Sequence, residues 1–315
     1  MGSQSKLLPE LSVIEFSREN LDPGTDLWIS TSKRVVFALE EYGCFIATCS
    51  DFTSQAHNEI FHALDELFDL PTEIKSRNTS EKPYFGYVGQ HPSIPLYESL
   101  GIDDATTLKG VQSFTNLLWP AGNERFRDGA LAFSKKVSEL EQMVKRMVFE
   151  RYGVKKYYDS HVMSSTYLLR FMKYRAPEMN ETNRGCDVHT DKSFVTILHQ
   201  NQIDGLEVKT KDGDWIAFEP SPSSFLVMAG DAFLAWSNGR IHSPLHQVVM
   251  KEKKSPRYSL GLFTFHSGII EIPQELADPE NPLKFKAFDH YGLLRYFCQD
   301  GVPQDVCTAQ AYCGV

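Results

Sequence analysis

The sequence lacks two features, a long hydrophobic run and an excess of positive charge. No stretch of its 315 residues approaches the ~18 consecutive apolar residues that a transmembrane helix requires. Lysine and arginine together number 32, against 41 aspartates and glutamates, which gives a formal net charge of -9. Nucleic acids and anionic membranes attract basic surfaces, so we expect neither as a partner.

Cysteine is also sparse, and none of it occurs as a Cys-x-x-Cys pair. The six cysteines are Cys44, Cys49, Cys186, Cys298, Cys307 and Cys313. The segment 1–5 leads into no apolar stretch of the signal-peptide kind. We therefore expect reduced thiols and a cytoplasmic location.

Helical periodicity dominates the first half of the sequence. Apolar residues recur at helical spacing over 31–42, 54–68 and 129–152, and a glycine or proline follows each segment closely. Short strands are predicted over 8–16 and 44–48. Repeated glycines and prolines interrupt the region between residues 76 and 128, so it is predicted to be mostly loop.

The pattern changes near residue 160, where short β-rich runs begin to alternate with turn sequences. The predicted strands are 166–174, 194–199, 206–209, 215–218, 225–228, 232–236, 246–250 and 258–265. Hairpin-type turns are predicted at 211–214 and at Asn238-Gly239. Strands at this spacing predict a mainly β fold with flanking helices, in the form of a double-sheet jelly roll or a related barrel.

Four regions follow from this pattern. Residues 1–120 hold helices and short strands, and 121–160 form a long connecting helix. Residues 161–270 form the jelly-roll domain, and 271–315 form a loop and a helix near 286–298.

The triplet His189-Thr190-Asp191 is the first candidate metal site. On an extended strand alternate side chains share a face, which would leave the two Cβ atoms roughly 6.5–7 Å apart. An imidazole and a carboxylate at that separation can share one metal ion, although His-x-Asp triplets also arise by chance. Two histidines and one carboxylate on one face of an octahedron are typical of non-haem Fe(II) oxygenases.

The third ligand must come from elsewhere in the chain. His242 and His246 both lie in the segment 237–248, four residues apart, so they share a strand face and spacing does not choose between them. Cys186 lies three residues before His189 and is a further, weaker candidate.

A carboxylate-binding pair opens the last predicted strand. Arg257 and Ser259 share a face, and a guanidinium fork with a hydroxyl suits a carboxylate. Tyr174, at the end of the first strand of the β-rich part, could donate its phenol hydrogen to the same group. A dicarboxylate could then bridge the metal and Arg257.

These residues resemble the motif of the plant Fe(II)/2-oxoglutarate-dependent dioxygenases. The stretch NGRIHSPLHQV (238–248) is similar to the family's "NGR…S…HRV" segment, with Gln247 where the family usually has arginine. The resemblance covers nearly the whole chain and is closest to the AOP-like branch, named for glucosinolate alkenyl-producing enzymes. The segments that carry it are EYGCF (41–45), LFDLP (67–71), YESLGIDD (97–104), FTNLLWP (114–120) and HTDKSFVTILHQNQIDGLEVKTKDG (189–213).

The resemblance implies a double-stranded β-helix and assigns the site residues. It implies that His189, Asp191 and His246 bind Fe(II), with His242 outside the site. It implies that Arg257, Ser259 and Tyr174 bind the co-substrate 2-oxoglutarate. O2 would be the oxidant, ascorbate a supporting reductant, and succinate and CO2 the by-products of oxidising an unactivated C–H bond by hydroxylation, desaturation or ring formation.

The substrate expected from the resemblance is a small plant specialised metabolite. Phe263, on the face of Ser259, and Phe194 are candidate substrate contacts, and an apolar or aromatic molecule is expected. The protein is expected to be a monomer. Two alternatives are a jelly-roll binding protein with a non-catalytic metal site and a zinc hydrolase, although a hydrolase has no need of the dicarboxylate anchor at Arg257.

Overall fold

The computed structural model describes residues 10–17, 21–251, 254–303 and 305–315. Within them, the α-helices are α1 Asp26–Glu41, α2 Ser54–Phe68, α3 Thr72–Lys75, α4 Leu108–Leu118, α5 Glu124–Arg151, α6 Tyr158–Met163, α7 Asp231–Trp236, α8 His290–Phe297 and α9 Ala309–Cys313. None of the helices in this part of the chain is long and apolar enough to cross a membrane.

The strands of the same described residues fall into two large sheets and one small pair. They are β1 Val13–Phe16, β2 Cys44–Cys49, β3 Val88–Gly89, β4 Tyr97–Ile102, β5 Ser165–Tyr174, β6 Arg184–His189, β7 Val195–Gln200, β8 Leu206–Lys209, β9 Trp215–Ala217, β10 Ser224–Ala229, β11 His246–Val249, β12 Arg257–His266, β13 Ile269–Ile270 and β14 Phe288–Asp289.

The larger sheet has the strand order β1-β2-β10-β7-β12-β5-β4-β3, and the smaller has the order β6-β11-β8-β9. Apolar side chains of both sheets form one cluster, in which Met172 and Leu198 of the larger sheet join Leu206 and Val248 of the smaller. The two sheets therefore pack face to face, as the predicted jelly roll requires.

The helices cover the other face of the larger sheet. The long helix α5 buries Phe133, Val137 and Val144 in the main core, together with residues of β7 and β10. Side chains cap the N-termini of α1, α2, α4, α5 and α8; Thr53, for example, accepts a hydrogen bond from the backbone N–H of Ala56 at 3.1 Å. One face of the larger sheet is thus left to line the space between the sheets.

The segment 232–236, predicted as a strand, lies in helix α7. Four of its five residues are buried, and a short apolar run of this kind fits either a helix or a strand, which periodicity does not separate. The backbone N–H groups of Phe233 and Leu234 donate to the Gly230 carbonyl, which starts the helical turn. Asn238 and Gly239 do form a turn, with φ of 56° and 78°, but it follows this helix rather than joining two strands.

The region 76–128 is more ordered than the predicted loop. It contains β4, which pairs with β5, and the helix α4. Gly101 is needed inside β4, because a Cβ there would lie 2.3 Å from the Phe85 carbonyl oxygen. Of the predicted first strand 8–16, residues 13–16 are β1, and residues 8 and 9 lie outside the described residues. The division into four regions stays a prediction.

The core holds a buried ion pair between Lys145 and Glu141, one turn apart on α5. The two charged atoms are 3.1 Å apart, and both side chains are fully buried. Lys145 also donates to Ser165 Oγ at 2.9 Å, and Glu141 accepts from the Tyr167 hydroxyl at 3.1 Å. The pair therefore joins α5 to the start of β5.

We expect Lys145→Met to destabilise the protein by about 3–5 kcal/mol, because it leaves the Glu141 carboxylate buried without a counter-charge. The double variant Lys145→Met/Glu141→Leu should recover most of that loss. Denaturant unfolding measures both changes. A single variant as stable as the wild type would contradict the expectation.

Candidate metal centre and ligand cavity

The candidate metal ligands meet where β6 ends and β11 begins. His189 is the last residue of β6 and His246 the first of β11, and the two are register partners in the antiparallel pair. Their rings lie side by side, with centroids 4.2 Å apart. Asp191 follows two residues after His189, beyond the end of the strand.

The three side chains offer ligand atoms around a common point. Asp191 Oδ1 lies 3.7 Å from His189 Nε2 and 3.7 Å from His246 Nε2. One ligand atom from each residue lies within 4.8 Å of the other two. Asp191 Oδ2 is buried and has no hydrogen-bond partner among the described residues. Such a cluster can hold a divalent metal ion.

Backbone carbonyls orient both imidazoles. His189 Nδ1 lies 2.8 Å from the Asp187 carbonyl oxygen, and His246 Nδ1 lies 3.3 Å from that of Pro244. An Nδ1–H that donates to a carbonyl leaves the Nε2 lone pair available to a metal, which is the usual support of a metal-binding histidine.

The charge of the cluster also suits a cation. Burial opposes protonation of His189, but the Cys186 thiol and Asp191 raise its pKa to about 9. Burial and the neighbouring His189 lower the pKa of His246 to about 4. The two imidazoles are therefore not both cationic beside the buried carboxylate, and a divalent cation can supply positive charge there.

The other two candidate ligands lie elsewhere. The backbone N–H of His242 donates to the Leu39 carbonyl. Burial and the nearby Lys211 lower the pKa of its imidazole, while Glu41 acts in the opposite direction. The Cys186 sulfur lies 3.8 Å from His189 Nδ1, the nitrogen that faces away from Asp191. The structure thus brings together His189, Asp191 and His246, and neither His242 nor Cys186 joins them.

Arg257 and the three candidate ligands line one cavity between the two sheets, and some of the guanidinium nitrogens of Arg257 form no hydrogen bond within the described residues. Its side chain is 1% exposed, and Nη2 donates to Gln200 Oε1. Nε and Nη1 are buried without a hydrogen-bond partner among the described residues. Burial lowers the pKa of this guanidinium, which nevertheless stays charged.

Ser259 and Tyr174 flank this guanidinium. Ser259 follows Arg257 by two residues on β12, so it shares the face that lines the cavity. Tyr174 is the register partner of Arg257, and its ring centroid lies 5.0 Å from the guanidinium carbon. Burial raises the pKa of Tyr174 well above its usual value, so its phenol stays protonated and can donate a hydrogen bond.

A cavity of about 450 Å³ between the sheets connects the two clusters. Its volume lies within the roughly 300–1,000 Å³ of small-molecule sites. Aromatic side chains form much of the remaining wall, and these are Tyr84, Phe85, Tyr97, Phe263, Phe265 and Phe297.

Of the two predicted substrate contacts, the structure brings only Phe263 to this cavity. Phe194 is fully buried in the main core, where its ring stacks on Phe233 at 4.2 Å between centroids. The alternation of β12 places Phe263 on the face of Ser259. Phe194 immediately precedes β7, where no strand register fixes its direction.

The sequence reasoning missed a buried network beneath the metal cluster. Lys192 Nζ donates to Asp231 Oδ2 at 2.8 Å and to Thr190 Oγ1 at 2.6 Å. Asp231 also accepts from Ser243 Oγ at 2.7 Å and from the backbone N–H of Thr308 at 3.0 Å. The network joins the loop after His189, the loop before His246 and the C-terminal part of the chain. Only the position of Lys192, one residue after Asp191, could have drawn attention to it.

A second missed residue is Arg170. It is the one charged residue in the apolar run LLRFM of β5, and its parity matches that of Tyr174. That pattern could have predicted a charge facing the cavity, where the structure places it.

Comparison with known protein families gives matches in two parts of the chain. The profile of the 2OG-Fe(II) oxygenase superfamily matches residues 156–266, and that of the non-haem dioxygenase in morphine synthesis N-terminal region matches residues 11–96. The Arabidopsis thaliana protein named Probable 2-oxoglutarate-dependent dioxygenase AOP1.2 is 46% identical over 296 residues, which cover 91% of each chain. The Arabidopsis thaliana 2-oxoglutarate-dependent dioxygenase AOP3 is 33% identical and covers 100% of this chain and 99% of its own.

Solved structures of two dioxygenases are similar to this chain. The rice dioxygenase for auxin oxidation superposes with a TM-score of 0.81 at 27% identity, covering 96% of this chain and 100% of its own. The Arabidopsis thaliana dioxygenase for auxin oxidation 1, in complex with 2-oxoglutarate, superposes with a TM-score of 0.77 at 26% identity, covering 87% and 100%. These neighbours confirm the predicted jelly-roll fold and the predicted use of Fe(II), 2-oxoglutarate and O2. The chain belongs to the Fe(II)- and 2-oxoglutarate-dependent dioxygenases, in their AOP-like plant branch.

Proposed function

We propose that His189, Asp191 and His246 bind the Fe(II), that Arg257, Ser259 and Tyr174 bind 2-oxoglutarate, and that the enzyme oxidises an unactivated C–H bond of a small plant specialised metabolite. One observation carries the assignment. The unpartnered Nε and Nη1 of buried Arg257 line the same cavity as the three convergent ligand atoms.

The residues present fit both groups. Two imidazole nitrogens and a carboxylate oxygen form the 2-His-1-carboxylate set that suits Fe(II) and leaves further positions open. A buried guanidinium with free donors lacks a carboxylate, and the far carboxylate of 2-oxoglutarate supplies one. When bound, iron with 2-oxoglutarate and O2 supplies the oxidising power, and the co-substrate leaves as succinate and CO2.

The protein's part in this reaction is to position the reactants and to exclude water. Arg257 neutralises the far carboxylate in a fixed plane. Gln200 Oε1 accepts a hydrogen bond from Arg257 Nη2 and so orients the guanidinium. Tyr174 stays protonated and donates a hydrogen bond to the same carboxylate. Met172, Leu198 and Val248 line this part of the cavity, and such apolar walls strengthen the charge pairing.

The aromatic wall favours an apolar or aromatic substrate, with Phe263 in contact with it. A relative named for auxin oxidation acts on a small molecule of that kind, which supports the proposal. The outcome at the attacked carbon is hydroxylation, desaturation or ring formation. We further propose that the enzyme acts as a cytoplasmic monomer and that ascorbate supports turnover.

His246→Ala should lower 2-oxoglutarate-dependent succinate release at least about 100-fold, since even the loss of a group that only supports a ligand costs 10–100-fold. His242→Ala is the matched control and should keep both iron and activity. Iron content by metal analysis and succinate release measure the two variants. Equal loss of iron in both would contradict the ligand assignment, and iron binding without succinate release in the wild type would favour a binding protein.

Arg257→Lys should raise the KM for 2-oxoglutarate by about 10-fold or more, because a point charge replaces a two-pronged donor worth about 1.5–3 kcal/mol. Arg240→Lys makes the same change outside the cavity, where Arg240 packs on Tyr152. Steady-state kinetics with varied 2-oxoglutarate measures both variants. An unchanged KM in Arg257→Lys would show that this arginine does not bind the co-substrate.

A further inference from the structure

Arg170 is a second buried guanidinium in the cavity. It lies on β5, is 5% exposed and lines the cavity wall. Its Nη2 donates to Ser99 Oγ of the neighbouring strand β4. Its Nη1 is buried and has no hydrogen-bond partner among the described residues.

No carboxylate of the described residues forms a hydrogen bond or an ion pair with Arg170. The acidic residues that line the cavity have other roles, because Asp191 belongs to the metal cluster and Asp187 pairs with Arg184 at 3.0 Å. Of the other lining cations, Lys192 is paired with Asp231, and Arg257 is the proposed anchor of the co-substrate. A buried charge without a partner costs several kcal/mol, so a folded protein rarely keeps one unless a ligand completes it.

We propose that Arg170 binds a carboxylate of the substrate, so that the enzyme acts on small molecules that combine an apolar body with an acid group. This inference rests on the proposed function only in taking the cavity as the substrate site. A single guanidinium with one free nitrogen suits a monoanion, whereas a phosphate dianion needs more donors.

Arg170 is too distant from Arg257 to be a second anchor for the same co-substrate carboxylate. The register pairs Arg257 with Tyr174, and Arg170 lies four residues further along β5. That separation is about 13 Å along the strand at roughly 3.3 Å per residue. The two guanidiniums therefore serve two different anions.

The wall around Arg170 is apolar. Gly261 is its register partner on β12, and a Cβ at Gly261 would lie 2.5 Å from Phe263 Cε2. The Phe263 ring therefore lies across Gly261, level with Arg170. Leu168 and Phe265 line the same part of the cavity. An aromatic acid can place its ring on Phe263 and its carboxylate on Arg170.

Binding of matched acids and amides tests this proposal. The probes are phenylacetate, 3-phenylpropanoate and indole-3-acetate, each beside its primary amide, titrated calorimetrically into enzyme loaded with Fe(II) and 2-oxoglutarate without O2. At least one acid should bind at least about 10-fold more tightly than its amide, as expected for a charge-assisted hydrogen bond. In Arg170→Gln that ratio should fall to about one, while Arg170→Lys should keep part of it.

Lys173→Gln is the matched control, since it removes one positive charge from the same strand at a residue outside the cavity lining. It should keep the wild-type ratio. The proposal is overturned if no acid binds better than its amide, if the preference survives in Arg170→Gln, or if that variant loses affinity for 2-oxoglutarate. Absence of 2-oxoglutarate turnover in the wild type would contradict the proposed function instead, because probe binding is measured without turnover.

Denaturant unfolding separates recognition from a structural role. Removing an uncompensated buried charge should leave the ligand-free Arg170→Gln protein at least as stable as the wild type. A large loss of stability would show that Arg170 holds the sheet together, and would contradict the proposal.

Discussion

The antiparallel pairing of β6 with β11 is the constraint on which the metal site depends. It places His246 directly opposite His189, with the rings 4.2 Å apart. A shift of one residue would turn one imidazole to the other face of the sheet. Asp191 follows the end of β6 closely enough to reach both rings. The three ligand atoms thus converge because of a strand register, and hydrogen bonds to backbone carbonyls then fix the direction of each ring.

The two sheets contribute different functional groups to the cavity. The smaller sheet carries the two histidines, while the larger carries Arg257, Ser259 and Arg170 on neighbouring strands. The long pairing of β5 with β12 holds the two guanidiniums at different levels of one wall. A ligand between the sheets therefore meets the candidate metal ligands on one side and two buried guanidiniums on the other. The main core backs the larger sheet, and the apolar cluster between the sheets holds the smaller sheet against it, so these positions are held with little freedom.

Much of this arrangement could be predicted from the sequence, because local patterns determine it. The helix at Ser54–Phe68 and the strand at Leu206–Lys209 have the predicted bounds. The motif resemblance selected His246 over His242, and strand alternation placed Phe263 beside Ser259. Where the signal was not local, prediction failed. Four of the five residues at 232–236 are buried, so the pattern of this run does not separate helix from strand. Gly101 interrupts the pattern of β4 only because another backbone segment packs against it.

The network around Asp231 has a consequence for how the protein is made. Asp231 is fully buried, and two of its hydrogen bonds come from Thr308, near the C-terminal end of the described chain. The same carboxylate holds Lys192, beside the metal cluster, and Ser243, which precedes His246. During synthesis the jelly roll can begin to assemble as its strands emerge, but Asp231 gains these two hydrogen bonds only after the chain has been made as far as Thr308. The loops that hold the candidate metal ligands therefore gain this anchor only after the strands of both large sheets have been made.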